Sequence, residues 1–153
     1  SHKASFVLQG AVTAHSCPKI PSSVTPGNVH VCEDGTSENR YSFVIATDLR
    51  PAYPDVGSQP GVAIDQLWNV SVGPYSFETT IVHDPTEGAL FSSPPNVSAD
   101  GVLSFGVAAD ANTGHEGDSV VLSIVFRDGS NATGDLNVSV THEVNITVHP
   151  VND

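Results

Sequence analysis

Apolar and polar side chains alternate most regularly in Val144-Asn145-Ile146-Thr147-Val148-His149, a run that continues into Pro150-Val151-Asn152-Asp153. Successive side chains of a β-strand point to opposite faces, so this alternation predicts a strand with one buried face. Proline has no N–H to donate to a strand ladder, and Asn and Asp after it favour a turn. We therefore predict that the run is the last strand of a β-sheet domain and that a linker follows it.

The same alternation recurs along the chain, and no long segment keeps a helical period. Turn pairs such as Pro26-Gly27, Asp34-Gly35 and Asp100-Gly101 separate the apolar runs. Short strands at this spacing predict an all-β fold, an antiparallel β-sandwich with Greek-key connections and seven to nine strands. The predicted strands are 5–8, 29–32, 41–46, 66–72, 77–82, 89–91, 102–105, 119–126 and 136–148, the last of them bent, bulged or divided in two.

Trp68, the only tryptophan, lies in the middle of the predicted strand 66–72. We expect its large ring to fill the space between two sheets, together with Phe105, Phe126 and Leu122. The alternative is a surface tryptophan on which a sugar ring stacks.

Two loops, 50–64 and 110–118, are long for a sandwich of this size. Long loops on a rigid scaffold commonly carry binding residues. We therefore expect protein recognition in the first loop, with Tyr53 as its anchor, or at open sheet edges.

The chain is strongly acidic, because 5 Lys and Arg residues stand against 17 Asp and Glu residues, a formal net charge of -12. Such a surface repels nucleic acid phosphates and anionic lipids, so neither is an expected partner. No apolar run approaches the ~20 residues that a membrane span needs. A chain of 153 residues suits one domain that buries most of its apolar surface without metal or oligomeric help.

Cys17 and Cys32 enclose a short segment rich in Pro and Ser. A disulfide between them would stabilise the fold by about 3 kcal/mol; two unrelated thiols in a reducing cell are the alternative. Five N-glycosylation sequons favour the disulfide, because both features require the secretory route. We therefore expect an extracellular or cell-surface location and a longer precursor. The sequons begin at Asn69, Asn96, Asn131, Asn137 and Asn145.

A strand with an apolar inner face and an outer face rich in Asn and Ser also produces the Asn-x-Ser pattern without any glycan. That arrangement still leaves the Asn side chains facing outward, where a glycosyltransferase reaches them. Asn131 follows the turn Asp128-Gly129-Ser130 and is the best candidate for an occupied site.

Several short segments follow one another along the chain in a recognisable order. They are Pro-Gly-Asn-Val-His-Val-Cys-Glu-Asp (26–34), Trp-Asn-Val-Ser-Val (68–72), Ala-Leu-Phe-Ser (89–92), Val-Ser-Ala-Asp-Gly-Val-Leu-Ser-Phe (97–105), Ala-Ala-Asp-Ala-Asn-Thr-Gly (108–114) and Val-His-Pro-Val-Asn-Asp (148–153). Through them, the chain from about residue 22 onward resembles the Ig-like/cadherin-like tandem repeats of large extracellular surface proteins. Residues 1–21, the cysteine pair and 115–118 depart from the usual repeat, which suggests an N-terminal extension tethered by a disulfide and a specialised domain over 22–153.

The resemblance implies an Ig-like sandwich that is not an enzyme and that serves adhesion, recognition or fibre assembly in a longer glycoprotein. Its partners would be neighbouring repeats of the same chain, other protein domains, a surface receptor or a glycan. In such repeats, calcium is held by a Glu-Asp after the first strand, by loops between strands and by an Asn-Asp linker. The residues of this chain at those places are Glu33, Asp34, Asp110, Asn112, Asn152 and Asp153.

Solvated acidic turns are the alternative to a calcium site, since the helix-loop-helix calcium motif is absent. His30, His142 and His149 could share a face of paired strands and bind a transition metal, but no zinc-type spacing supports this and simple surface histidines are the alternative.

Catalytic motifs fail on inspection. The segment 101–106, Gly-Val-Leu-Ser-Phe-Gly, has one residue too many for a nucleophile elbow and lacks its strand-to-helix context. A hydrolase would need converging acids or a Ser-His pair in a cleft. The competing non-enzymatic hypothesis is a carbohydrate-binding sandwich that uses Trp68, Tyr53 or Tyr75 as a stacking platform.

Overall fold

The computed structural model describes residues 3–13, 17, 20–33, 39–52, 74–114, 118–130 and 136–150. Within these ranges the chain is all-β and has no helix, which confirms the all-β part of the predicted fold. None of these residues belongs to a helix with the length and hydropathy to cross a membrane. The strands are β1 (Ser5–Leu8), β2 (Ala11–Val12), β3 (Asn28–Cys32), β4 (Asn39–Val44), β5 (Ala46–Arg50), β6 (Ser76–His83), β7 (Phe91–Val97), β8 (Val102–Val107), β9 (Val120–Arg127) and β10 (His142–His149).

The larger sheet has five strands in the order β2-β3-β10-β9-β6. β10 is antiparallel to β9, and β9 is antiparallel to β6. β3, however, runs parallel to β10, and β2 runs parallel to β3. The prediction of a wholly antiparallel sandwich is therefore wrong for these two pairs, because strand direction is decided by long-range connections that alternation does not encode.

The second layer is the antiparallel sheet β4-β8-β7, which β5 and β1 extend. β5 continues β4 beyond a bulge at Ile45, where the N–H groups of Ile45 and Ala46 both donate to the carbonyl of Gly101. Only glycine fits at position 101, because its φ is +85° and a Cβ would collide with the carbonyl oxygen of Ala46. This bulge and the two-residue β2 raise the count among the described residues to ten strands, above the predicted seven to nine.

The core lies between the two layers and follows the alternation of the strands. In β9 the residues Val120, Leu122, Ile124 and Phe126 are fully buried, while the side chains between them are partly exposed. Burying an aliphatic or aromatic side chain of this size contributes about 1.5–3 kcal/mol, so one strand supplies a large part of the stability. The predicted core residues Phe105, Phe126 and Leu122 are all buried; Trp68 lies outside the described residues.

The N-terminal segment packs into the sandwich. Ala4 and Phe6 are buried, and the ring of Phe6 makes edge contacts with Phe77 and Phe126 at centroid distances of 5.4 and 6.3 Å. Perpendicular ring pairs at this distance add about 0.5–1.5 kcal/mol to the burial of their area. The segment 1–21, predicted as a tethered extension, therefore contributes two strands and part of the core.

Two strand predictions need correction. A strand was expected at 89–91, but β7 begins at Phe91 and runs through Pro94 and Pro95 to Val97. Prolines argue against a central strand, yet β7 is the outer strand of β4-β8-β7, where a missing N–H breaks no ladder bond. A strand was also expected over 136–148, but β10 starts only at His142. Before it, a single bridge joins Val138 to Arg127.

The sandwich has two ends, which we name by β10. At the lower end, where β10 begins, Ala4 donates its N–H to the carbonyl of Leu136, and the bridge of Val138 with Arg127 lies beside it. At the upper end, where β10 stops at His149, β3 ends at Cys32. Residue 4 and residue 149 are therefore at opposite ends of the sandwich.

Candidate functional site

The last residues of β10 are held on both sides at the upper end. On one side, the N–H of Glu33 donates to the carbonyl of His149 at 2.9 Å. On the other, Thr113 donates its N–H to the carbonyl of Val148 at 2.9 Å, and its hydroxyl accepts the N–H of Val148 at 3.1 Å. Thr113 is only 5% exposed, so this side chain replaces a strand partner. The exit of β10 is consequently flanked by Glu33 and by the loop that contains Thr113.

This arrangement brings together two of the residues predicted to bind calcium. The amide nitrogen of Asn112 donates to a carboxylate oxygen of Glu33 at 3.3 Å, and its amide oxygen accepts the N–H of Gly114 at 2.9 Å. Asp110 is exposed two residues earlier, with a left-handed φ of 58°. Asp34, Asn152 and Asp153 lie outside the described residues.

Two of the predicted calcium ligands are in contact, which is fewer than such a site needs. Calcium takes six to eight oxygen ligands from carboxylates, amides and carbonyls. Glu33 offers a carboxylate, and rotation of the Asn112 side-chain amide would turn its oxygen toward the same point. Over the residues described, no group of three His, Cys, Asp or Glu side chains is arranged to hold a metal ion. Further oxygens would therefore have to come from Asp34 and from the two linker residues.

The predicted disulfide is confirmed. Cys17 and Cys32 are bonded, with their Cα atoms 6.0 Å apart, and Cys32 is buried at the end of β3. The bond ties the connection between β2 and β3 to the upper end of the sandwich. A structural disulfide is compatible with a secreted protein, because reducing compartments seldom preserve one.

A pair of histidines lies on the outer face of β3 and β10. Nδ1 of His30 is 2.8 Å from Nε2 of His149, and the ring planes differ by 16°. The 5.1 Å between ring centroids equals that N···N distance plus the two ring radii, so the rings meet edge to edge and share one hydrogen bond. Burial lowers the pKa of His30, which favours its neutral form.

His142 does not join this pair. Its ring packs against Phe6 at a centroid distance of 4.5 Å, on the opposite face of β10 from His149. Burial also lowers the pKa of His142. A common face for all three histidines, considered as a possible metal site, is therefore not formed, because residues 142 and 149 are separated by an odd number of positions along one strand.

The sequons differ in exposure. Asn96 is exposed on β7, whereas Asn137 and Asn145 are half-buried. The amide of Asn137 donates to the carbonyl of Ser130 at 3.0 Å, and that of Asn145 lies 3.4 Å from the side-chain oxygen of Asn28. Asn69 and Asn131 lie outside the described residues.

Of the three aromatic residues considered as sugar-stacking platforms, the structure describes only Tyr75. Its ring makes an edge contact with Phe126 at 5.0 Å and is half-buried, so it packs against the core. Tyr53 and Trp68 lie outside the described residues, and the loop 50–64 is described only as far as Ala52. Buried Asp128 fixes the start of that loop at the lower end, because its carboxylate accepts the N–H of Ala52 at 2.7 Å.

Sequence reasoning raised the possibility that His30 and His149 share a face of paired strands, but it did not foresee their hydrogen bond. That contact depends on β3 lying parallel to β10, and the residues are 119 positions apart. A second feature was missed outright. The anchoring of Ala52 by Asp128 joins residues 76 positions apart. The only local signal was the turn sequence Asp128-Gly129-Ser130, in which Asp128 also accepts the N–H of Ser130.

Comparisons with protein-family models, with curated proteins and with solved structures found no match for this chain.

Proposed function

We propose that this chain is a non-enzymatic Ig-like module of a larger extracellular glycoprotein, which carries load between neighbouring domains and serves adhesion, recognition or fibre assembly. The observation that carries the proposal is the position of residues 4 and 149 at opposite ends of the sandwich. A chain that enters at one end and leaves at the other adds to the length of a string of domains.

The strand order supports the Ig-like part of the proposal. An Ig sandwich places its strands in the orders A-B-E-D and C-F-G. The order β1-β5/β4-β8-β7 corresponds to the first sheet, and β6-β9-β10 corresponds to the second. β3 and β2 are then additional strands that lie parallel to the last strand, which is where this chain would depart from the simplest Ig pattern.

The pairing of β3 with β10 supports the load-bearing part. Force applied at residue 4 and at residue 150 acts along the strands. The bonds between these two parallel strands, from Asn145 N–H to the Gly27 carbonyl up to Glu33 N–H to the His149 carbonyl, would then be loaded together in shear. Bonds that share a load resist it better than bonds that open one after another.

Calcium at the upper end would stiffen the joint to the next domain. Glu33 and Asn112 flank the exit of β10, so a cation held there and by Asn152 and Asp153 would connect the linker to the sandwich. Within this proposal, Tyr53 and its loop would contact a protein partner at the lower end, where Asp128 anchors the loop.

Single-molecule force measurements in two pulling geometries test the proposal. In one geometry the handles are attached at Lys3 and Pro150; in the other the second handle is moved to exposed Glu143, at the start of β10. We expect a clearly higher unfolding force in the first geometry, because only that geometry loads the pair of β3 and β10 in shear. Non-cysteine attachment chemistry leaves the disulfide intact in both.

The second geometry serves as the control for the first, since the folded protein and its stability are nearly the same in both. Equal unfolding forces in the two geometries would contradict a load-bearing role.

A further inference from the structure

The outer face of β4-β8-β7 carries two rows of small polar residues. Asn96 of β7 is opposite Ser104 of β8, which in turn is opposite Ser42 of β4. The hydroxyl oxygens of Ser42 and Ser104 are 3.1 Å apart. The neighbouring row consists of Ser93, Gly106 and Arg40 in the same order of strands.

The side chains of these rows surround a depression on this face, which we call the outer hollow. Beside it, a Cβ at Gly106 would lie 2.6 Å from the hydroxyl oxygen of Ser92 and 3.3 Å from the Cβ of Ser93, so side-chain atoms of β7 already pack closely over Gly106. The hollow has a volume of ≈ 220 Å³. Its polar lining comes from Arg40, Ser42, Ser93, Asn96 and Ser104.

The chemistry of the outer hollow suits one sugar ring. Hydroxyl, amide and guanidinium groups donate and accept hydrogen bonds in the manner that sugar hydroxyls and an N-acetyl group require. Pockets that hold free small ligands usually measure about 300–1,000 Å³, so this hollow is small for a ligand that must bind from solution. A group that is already tethered to the chain can bind in a smaller pocket, because it does not lose translational freedom on binding.

Asn96 is the tether that the structure offers. It lines the outer hollow, its side chain is exposed, and it begins the sequon Asn96-Val97-Ser98. The other described sequons are less favourable, because their hydroxyl residues, Ser139 and Thr147, are only 4% and 6% exposed. Ser98 is partly exposed, at the end of β7.

We infer that Asn96 carries an N-linked glycan and that the first N-acetylglucosamine of this glycan packs into the outer hollow, an inference that rests on the proposed secretory, extracellular function. In the transfer, the amide nitrogen of Asn96 forms a bond to C1 of the first sugar of a lipid-linked oligosaccharide. The bond from C1 to the lipid pyrophosphate breaks, the pyrophosphate leaves with its electron pair, and the nitrogen gives up one proton.

The packed sugar would protect the edge of β4-β8-β7. β7 is the outer strand of that sheet, and Pro94 and Pro95 already limit its pairing with other chains. A sugar that spans from Asn96 across Ser104 toward Ser42 would join three strands through hydrogen bonds. The glycan therefore acts as part of the sandwich surface, and its loss exposes the hollow to water.

The test uses the chain secreted from a eukaryotic cell line that makes high-mannose glycans. Peptide mass spectrometry reports the occupancy of each sequon. One endoglycosidase then trims the glycan to a single N-acetylglucosamine, and an amidase removes it completely and leaves Asp. We expect the trimmed protein to have the same melting temperature as the untrimmed one. The fully deglycosylated protein should melt about 2–4 °C lower.

Two variants isolate the site. Asn96→Asp, with the other glycans retained, should show the same loss of about 2–4 °C as complete removal. Ser42→Ala combined with Ser104→Ala should reduce by at least half the gain in melting temperature that the single sugar provides. Ser123→Ala, on the outer face of the other sheet, is the matched control and should leave that gain unchanged.

The outcomes separate this inference from the proposed function. Glycans at other sequons with Asn96 empty, or an occupied Asn96 whose single sugar leaves the melting temperature unchanged, would overturn the inference alone. A chain that is secreted without sugar at any sequon would overturn the inference and count against the glycoprotein part of the proposed function.

Discussion

At the scale of single residues, the polar side chains of this protein act mainly by holding strand ends and loops. Thr113 replaces a strand partner for β10, and Asp128 fixes the start of a long loop. A buried polar group left without its hydrogen bond costs about 1–3 kcal/mol, which explains why each of these side chains is fully engaged. Burial also affects His30 and His142, whose pKa values it lowers.

The stability of the fold should fall in mild acid because of His30 and His142. Burial lowers both pKa values below the ordinary 6.5, so the unfolded chain binds more protons than the folded one below that pH. Their contribution is complete above about pH 6.5 and is lost as the pH falls toward the lowered pKa values. The free energy of unfolding, measured with urea between about pH 5 and 7.5, should therefore rise with pH. The double variant His30→Gln, His142→Gln should flatten this slope.

His83 provides the control, since its side chain is exposed on β6. His83→Gln should keep the slope of the parent chain. A parent chain with constant stability across that pH range would be incompatible with two histidines held neutral by burial.

Calcium binding should depend on Glu33 and Asn112. Titration calorimetry of the full chain, including Asn152 and Asp153, should show calcium uptake that Glu33→Gln and Asn112→Ala each weaken by about tenfold, or about 1.4 kcal/mol. The physical reason is that a hard cation loses one of its few oxygen ligands in each variant. Glu143→Gln, at the lower end, should bind like the parent. Unchanged binding in both site variants would place the cation elsewhere.

At the scale of secondary-structure elements, the connection between β2 and β3 depends on the disulfide. Replacing Cys17 and Cys32 together by Ala should lower the free energy of unfolding by about 3 kcal/mol, because the unfolded chain regains the freedom of the closed loop. Chemical denaturation of the oxidised parent and of the variant measures this difference. A variant as stable as the parent would mean that the loop stays ordered through packing alone.

The sequence predicts strands well where one face is buried. β1 and β9 agree with their predicted ranges to within one residue, because each is a short, mainly apolar run with turn residues nearby. β7 was misplaced because its two prolines hide a strand that tolerates them at a sheet edge. The break between β4 and β5 was missed because it depends on Gly101, which lies on another strand connection and approaches Ala46 only in the folded chain.

The candidate site was predictable only in part for a similar reason. The pairing of Cys17 with Cys32 was predictable, because the chain has two cysteines and its sequons indicate the secretory route. The contact of Glu33 with Asn112 was anticipated from a family resemblance, since 79 positions separate the two residues. The outer hollow had no local signal at all, because Asn96, Ser104 and Ser42 become neighbours only through strand register.

At the scale of the whole molecule, the acidic surface and the layout of the sandwich fit a domain in a chain of domains. With a net charge of -12, the surface should repel nucleic acid phosphates. The central claim is that the polypeptide enters the sandwich at the lower end and leaves it at the upper end. That claim follows from the contacts of Ala4 with Leu136 and of Glu33 with His149.

The most direct test is the distance between nitroxide labels at positions 3 and 150, attached by non-cysteine chemistry and measured by pulsed electron spin resonance. β10 has eight residues and rises by about 3.3 Å per residue, so opposite ends predict a narrow distribution at about 25 Å or more. A distribution centred below about 15 Å, well short of the length of that strand, would place both labels at one end and contradict the account.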